Sequence, residues 1–515
     1  MLNTPPQSAS RVVFDPDAPL TDASLLTAIP TEVVNKYQVF PMRLAGERLT
    51  VAMADPSDLQ TVEELSVITG YTIERVKASG TSISKAISKH FGSHVSRMLE
   101  DMDGGRSDPE STTGEEDSGE LAPARLYELA REPSLVNLVN LILFEAIDLQ
   151  ASDIHIEPFE KNLKTRYRVD GVLVERAPTP KNLHPAIISR IKILAQMDIA
   201  ERFVPQDGHI EFPSHKGKVD IRVSTIPTVF GESVVMRLLD RSSSIGSFEE
   251  LGMDPVTLGN FNKCLTKAHG IVLVTGPTGS GKTTTLYHAL KQIFTPELKI
   301  ITIEDPVEYQ LDGIVQMPVN TRRGLSFANG LRHILRQDPD VVMVGEIRDS
   351  ETADIAVRAA LTGHLVFSTL HTNNAAGAIT RLIDMGVEPF LLASSLIAVL
   401  AQRLVRRICP SCKVPLAPDP ALLAGFGDCE LPENATFYHG TGCEECLNSG
   451  LRGRLGIFEL LRVNEALRGA IGKKPSIDAI HKRASADHIF MREDGVRKVL
   501  DGQTILEEVL RVTQD

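Results

Sequence analysis

Short apolar runs alternate with helix-period segments over residues 246–405. Ile271 to Thr275, Lys299 to Ile303, Val341 to Val344 and Leu365 to Thr369 each read as a strand buried on both faces, as in a parallel sheet. The segment from Lys282 onward carries helical spacing, and further helical segments separate the later runs. Strand and helix in alternation predict an α/β core. The pattern before it is different. Ser134 to Gln150 is an apolar helix candidate, followed by two-residue alternation over Lys164 to Val169, Val219 to Val223 and Val234 to Leu239. Asp170-Gly171 is a hairpin turn signal. Residues 123–245 are therefore predicted as an α+β domain with a mostly antiparallel sheet, whose polar face presents Arg166, Arg168, Arg222 and Arg237.

The ends are less regular. Residues 1–95 read as a small α/β interaction domain, with a strand at Arg48 to Ala54, a turn at Asp55-Pro56 and a short helix at Thr81 to His90. Residues 96–122 form a predicted flexible linker: positions 101–120 hold eight acidic residues and one Arg, with too little apolar surface to order themselves. Residues 406–460 hold two cysteine pairs, and 461–515 are predicted helical.

Charge narrows the function classes. The formal net charge is −13 and no basic, aromatic-rich stripe is present, so no nucleic-acid partner is expected. No window has the run of about 18 apolar residues that a membrane-spanning helix needs, and the N-terminus lacks the basic and apolar regions of a signal peptide. A cytosolic chain is expected, reaching a membrane only through partners.

The strongest chemical signal is Gly276-Pro277-Thr278-Gly279-Ser280-Gly281-Lys282-Thr283, followed by Thr284. It matches G-x-x-x-x-G-K-[ST] between a predicted strand and a predicted helix, the setting that the phosphate-binding loop requires. Glycines let backbone N–H groups curl around phosphates, and the helix N-terminus adds partial positive charge. Lys282 would neutralise the β- and γ-phosphates and Thr283 would hold Mg²⁺. Three more predicted strands end in polar groups, where ligands gather in such sheets. Glu346 follows Val341 to Val344, with Gly345 where an Asp usually steadies Mg²⁺. It is the candidate that polarises the attacking water. Glu304, or else Asp305, is the candidate to supply the missing carboxylate, and His371 a candidate sensor of the γ-phosphate. His364 is a lesser one. Spacing alone leaves Arg222 and Arg237 open between a solvated sheet face and catalytic arginines acting in cis or in trans.

Cys409-Pro-Ser-Cys412 and Cys443-Glu-Glu-Cys446 are two C-x-x-C pairs 30 residues apart. Four thiolates suit tetrahedral Zn²⁺, and without a water-activating motif beside them the site would be structural. A redox dithiol is the alternative. Cys264 and Cys429 read as packing residues.

Taken in order, the phosphate loop, Ile301 to Tyr309, Asp338 to Asp349, Gly363 to Asn373 and the C-x-x-C pairs resemble the type II secretion system ATPase family (GspE) and the related type IV pilus assembly ATPases. Ser152 to Pro158 and Arg166 to Gly171 resemble the domain that precedes the core in that family. The resemblance covers 123–515 strongly and 20–92 loosely. It implies a RecA-like P-loop ATPase core preceded by a PAS-like α+β domain. It implies ATP, Mg²⁺ and Zn²⁺, and a homo-hexamer peripheral on the cytoplasmic side of the inner membrane. There it would bind platform proteins through its N-terminal domain and drive assembly of a pilus-like fibre. The family's acidic, Walker and histidine boxes map onto Glu304, Glu346 and His371, and its nucleotide-contacting arginines onto Arg222 and Arg237. The cysteine insert favours assembly motors over retraction motors. Many relatives start with an extra helical domain that docks a membrane partner or binds a cyclic dinucleotide. This chain is expected to start almost directly at the family's second N-terminal unit, without that motif.

Overall fold

The computed structural model describes residues 14, 25–29, 33–34, 37, 39–46, 48–83, 86–87, 129–131, 133–176, 179–214, 217–239, 247–417, 435–485 and 487–513. The predicted acidic linker, most of the predicted Thr81 to His90 helix and Cys429 lie outside the described residues. The chain divides into two units, residues 1–243 and 244–515.

The first unit begins with a three-stranded sheet. Strand β1 (Val39–Ala45) pairs antiparallel with β2 (Arg48–Met53), and β3 (Thr72–Lys77) lies parallel to β2. Helix α1 (Leu59–Thr69) makes the crossover. Asp58 caps its start by accepting from Thr61 N at 3.1 Å, and Gly70 ends it in the left-handed conformation. The predicted turn at Asp55-Pro56 is the approach to this helix.

Farther along the same unit, α2 (Pro133–Asp148) and α3 (His184–Leu194) pack their apolar faces onto a six-stranded sheet. Its strands are β4 (Asp153–Pro158), β5 (Leu163–Val169), β6 (Val172–Glu175), β7 (Gln206–Ser214), β8 (Gly217–Thr228) and β9 (Gly231–Leu239), in the order β6-β5-β4-β9-β8-β7. All neighbouring pairs are antiparallel, as the alternation predicts. Asp170 and Gly171, both at positive φ, form the β5–β6 turn. Cross-strand register sets Arg168, Asp153, Arg237 and Arg222 side by side across four strands.

The second unit is built on a seven-stranded sheet. Helix α4 (Pro255–Leu265) leads into β10 (Gly270–Thr275), α5 (Lys282–Ile293), β11 (Ile300–Glu304), β12 (Val315–Pro318), α6 (Phe327–Ile334) and β13 (Val341–Val344). Then come α7 (Ser350–Leu361), β14 (Leu365–Leu370), α8 (Ala375–Asp384), α9 (Pro389–Ser395) and β15 (Leu396–Ile408). After the short strands β16 (Lys413–Leu416) and β17 (Phe437–Gly440), β18 (Leu451–Arg462) returns to the sheet. The order is β12-β11-β13-β14-β10-β15-β18, parallel except for β18 against β15. Alternate residues of each strand enter opposite cores. Ile271 and Leu273 face α6, α7 and α8, whereas Val272 and Val274 face α4 and α5. Burial on both faces is why these strands read as unbroken apolar runs.

Most of strand β18 lies within the range that the sequence reading assigned to the cysteine subdomain. Its stretch Leu455 to Leu461 is buried throughout and completes the core sheet. The cysteine segment is thus an excursion between two paired strands. Helices α10 (Glu465–Ile471), α11 (Ile477–His481), α12 (Met491–Leu500) and α13 (Leu506–Thr513) follow, in the predicted helical region. Among the described residues no helix is long and apolar enough to cross a membrane.

Helix α13 is fastened to β15 by buried charge. Glu508 accepts from the Arg406 side chain at 2.7 Å and backbone N–H at 3.0 Å, and from Arg511 at 2.8 Å. Burial opposes ionisation of Glu508, but these hydrogen bonds outweigh it and hold the carboxyl at about 2, below the ordinary 4.5. A depressed carboxylate pKa stabilises the fold above the ordinary value, and that stabilisation is lost as pH falls through the folded value. Glu508→Gln is therefore expected to destabilise the protein by about 3 kcal/mol at pH 7. In denaturant unfolding the difference from the unaltered chain should close as pH approaches 2.

Candidate functional site

The carboxyl ends of β10, β11, β13 and β14 meet at one edge of the core sheet. The glycine loop leaves β10 there. Gly276, Gly279 and Gly281 all take positive φ. At Gly276 a Cβ would stand 2.5 Å from Gln402 O and 2.6 Å from Ser280 Oγ, and at Gly281 one would stand 2.8 Å from Gln402 Nε2. Only glycine fits these two positions, and the cradle suits a phosphate chain. Lys282, the first residue of α5, arches over the loop and donates to Gly276 O at 2.8 Å and Pro277 O at 2.9 Å. Burial pulls its amine down to about 8 against the opposing attraction of Glu346, and Arg403 adds to the lowering. An anion in the cradle would relieve that cost. Thr283 is exposed on the first turn beside it, and Thr284 is half-buried.

Glu346 emerges two residues beyond β13. Arg348 binds one of its oxygens at 2.5 Å, and His371, one residue beyond β14, lies 3.3 Å from the other. The Glu346 side chain is 15% exposed and His371 49%, so both reach solvent at the sheet edge. The hydrogen bond to Glu346 raises the pKa of Arg348 further and keeps it cationic. Gly345 lies flat on the neighbouring strand, where a Cβ would come 3.3 Å from Ile303 O and 3.5 Å from Glu304 Cα. A side chain at 345 would require β11 to give by a few tenths of an ångström.

Glu304 ends β11 but is turned inward, 3% exposed. One oxygen accepts from Thr302 at 2.6 Å and Gln316 at 3.1 Å, and the other from Tyr287. Burial, then this hydrogen bond to Glu304, push the Tyr287 hydroxyl well above its ordinary pKa. Asp305 is exposed, within the electrostatic reach of Arg348. His364 takes a local structural place, with Nδ1 2.9 Å from Ala359 O.

Arg222 and Arg237 are neighbours in register on β8 and β9 in the first unit. Arg237 binds Asp153 at 2.9 Å, and Arg168 approaches the same carboxylate at 3.5 Å. Among the described residues no carboxylate lies within ion-pair reach of Arg222. Asp153 was legible only as part of the Ser152 to Pro158 segment. Its place between two arginines is a product of strand register.

Sequence reasoning also missed Gln402 and Arg403. Both lie on β15, which runs beside β10. Gln402 accepts from Thr285 at 2.7 Å and backs the glycine loop, and Arg403 donates to Asn373 O at 2.8 Å. Two polar residues inside the apolar run Leu396 to Val405 were the available signal.

The four cysteines of the C-x-x-C pairs converge at the open end of the β15–β18 hairpin. Their sulfurs all lie within 4.8 Å of one another. Three separations are 3.8 Å for Cys409–Cys443, 3.9 Å for Cys412–Cys446 and 3.6 Å for Cys443–Cys446. A tetrahedron with Zn–S of about 2.3 Å has sulfurs about 3.8 Å apart. Backbone N–H groups of Cys443 and Gly450 each point at Cys446 Sγ from 3.2 Å, as suits a thiolate. The cluster fits a zinc site. The remaining described cysteine, Cys264, is buried in the core as a packing residue.

Residues 128–511 match the family described as type II/IV secretion system protein, and residues 10–97 match the MshEN domain. The type IV pilus assembly ATPase PilB of Myxococcus xanthus is 46% identical over 499 residues, covering 95% of this chain and 86% of that protein. The type II secretion system protein E of Pseudomonas aeruginosa is 45% identical over 505 residues, covering 97% and 99%. The solved structure of the Legionella pneumophila ATPase DotB superposes with a TM-score of 0.55 at 22% identity, covering 78% of this chain and 97% of that one, which supports the fold. On the family match and these identities, the chain belongs to the type II/IV secretion system protein family, a family of secretion ATPases.

Proposed function

We propose that this chain is an ATP-hydrolysing motor that works as a homo-hexamer and powers type II protein secretion by driving assembly of a pilus-like fibre. The observation that carries the reading is the grouping of Lys282, Glu346 and His371 at the mouth of a glycine cradle. Lys282 neutralises the β- and γ-phosphates of ATP. Glu346 takes the proton of the attacking water, and Arg348 and His371 hold it in place. His371 also reports the γ-phosphate. Mg²⁺ would supply positive charge against the phosphates, and Thr283 would be the residue to hold it. Glu304 stands behind that position as a buried anion shared with Tyr287, Thr302 and Gln316. Asp305 is the more exposed carboxylate beside it. Zn²⁺ in the four-cysteine site is structural.

Arg222 and Arg237 complete the nucleotide site, of the same chain or of a ring neighbour. The protein acts at the cytoplasmic face of the inner membrane, held there through platform proteins that bind its N-terminal domain. Nucleic acid is not a partner, consistent with the acidic balance. The similarity to a pilus assembly ATPase supports a second reading, pilus extension or DNA uptake, with the same motor chemistry.

ATP hydrolysis measured against protein concentration, with mass from light scattering, tests the motor. Specific activity should rise as hexamers form and fall about 10³-fold in Arg222→Ala, the low end for a catalytic arginine. Activity that is flat with concentration in a monomeric chain would overturn the ring.

A further inference from the structure

A buried hydroxyl beneath the glycine loop has no part in the chemistry above. Thr275 ends β10, a strand otherwise built of Gly270, Ile271, Val272, Leu273 and Val274, and it is fully buried. Burying a hydroxyl costs free energy unless it is hydrogen-bonded, and valine would fill the same space, so packing alone gives no reason for threonine here. Thr275 stands opposite Leu370 in register, and Leu370 immediately precedes His371. Its Oγ1 accepts from the backbone N–H of Thr372 at 3.0 Å, and Thr372 immediately follows His371. The same oxygen is 2.7 Å from Thr372 Oγ1 and 3.1 Å from Leu370 O. A hydroxyl has one proton to donate. Thr372 Oγ1 donates its own to Asn374 O at 3.1 Å, which leaves it to accept from Thr275. One side chain of β10 therefore holds the chain on both sides of His371. Beyond it, Arg403 donates to Asn373 O at 2.8 Å, and Asn374 caps α8 by accepting from Gly377 N at 2.8 Å.

Glu346 is framed in a matching way. Gly345 O accepts from Thr369 Oγ1 at 2.7 Å, and Ile347 N donates to Thr369 O at 3.0 Å, so β14 pins the backbone on both sides of Glu346. With both backbones pinned, the frame sets the 3.3 Å approach of His371 to Glu346. At its other end Thr275 is joined to Gly276, whose carbonyl accepts from Lys282 Nζ at 2.8 Å.

We propose that Thr275 is a positioning residue for ATP hydrolysis: its hydroxyl ties the base of the glycine loop to the segment that carries His371, and so sets His371 against Glu346. Three links then join the lysine at the phosphate cradle to the carboxylate that takes the proton: Lys282 on Gly276, Thr275 on Thr372, and His371 on Glu346. The inference rests on the roles given to Glu346 and His371 above.

Thr275→Val keeps the shape and removes the hydroxyl. The test compares the unaltered full-length protein with Thr275→Val, Thr275→Ser, His371→Ala and the double variant Thr275→Val with His371→Ala, each at a concentration where light scattering gives the same assembly. Thr275→Val should lower kcat about tenfold while the affinity for a fluorescent ATP analogue stays within about twofold. Thr275→Ser keeps the hydroxyl and should hold kcat within about threefold of the unaltered protein. Added to His371→Ala, Thr275→Val should lower kcat no further, because two changes in one chain of contacts are not additive. Thr372→Val removes the partner hydroxyl at a half-buried position. It should lower kcat in the same way, and it provides the test if Thr275→Val does not fold. Unchanged kcat in both valine variants would overturn the tie, and so would a loss that multiplies with that of His371→Ala. An equal loss in Thr275→Ser would overturn it as well, by assigning the effect to packing rather than to the hydroxyl. A His371→Ala protein with unaltered kcat would overturn it too, through the role of His371, and would leave the ATPase reading standing.

Discussion

Glu346→Gln should bind ATP as the unaltered protein does and hydrolyse it about 10² to 10⁴ times more slowly. The substitution keeps the shape of the side chain. An amide oxygen can still accept from Arg348 or His371, so the end of β13 should hold its place. What disappears is an oxygen basic enough to take a proton from water. Glu346 is suited to that task by where it stands. Its side chain is mostly buried but reaches the sheet edge, two cationic or donor groups fix its oxygens, and Lys282 lies within its electrostatic field. Gly345 beside it carries no side chain to share the work. Nucleotide binding followed with a fluorescent analogue, alongside steady-state phosphate release, separates the two effects. Wild-type turnover in the variant would remove the general-base assignment. Loss of binding together with turnover would make the residue structural.

Removing ligands from the four-cysteine site should have a larger effect, on folding. Cys409→Ser combined with Cys446→Ser should bring zinc content, measured by elemental analysis, from one per chain to none. It should also expose residues 406–460 to proteolysis and hydrogen exchange. Zinc bound to such sites contributes about 10 to 16 kcal/mol of apparent free energy to local folding. Here that energy would close a particular loop. β15 and β18 pair as far as Ile408 and Leu451, and Cys409 N donates to Gly450 O at 3.0 Å immediately beyond. The chain between must return to this point, and loop closure has an entropic cost that local contacts have to offset. Gly440 and Gly450 touch backbone to backbone here, where a Cβ on either would collide. With the sulfurs uncoupled, the outer end of the hairpin should fray, while the buried stretch Leu455 to Leu461 keeps the core sheet intact. Zinc content unchanged in the double variant would rule out these cysteines as its ligands.

The phosphate loop could be read in the sequence because its chemistry needs glycine at fixed spacing and a lysine at the helix start. Those demands are local, and so are the spacings of the C-x-x-C pairs. The apolar runs of the core were legible for a related reason: a strand buried on both faces has no polar positions to interrupt it. Their polar ends therefore marked Glu304, Glu346 and His371 as neighbours before any sheet order was known. Tertiary structure decided which way each one turns. Glu304 and Glu346 end adjacent strands, yet Tyr287 and Gln316 draw Glu304 inward while Arg348 and His371 hold Glu346 at the mouth. Nothing in the local sequence around Glu304 encodes those partners. The same holds for Gln402 beneath the glycine loop and for Asp153 between Arg168 and Arg237. Each depends on strands distant in sequence lying side by side. A buried polar group takes whichever partner the sheet order brings within reach, because leaving it unpaired costs more than any local preference supplies.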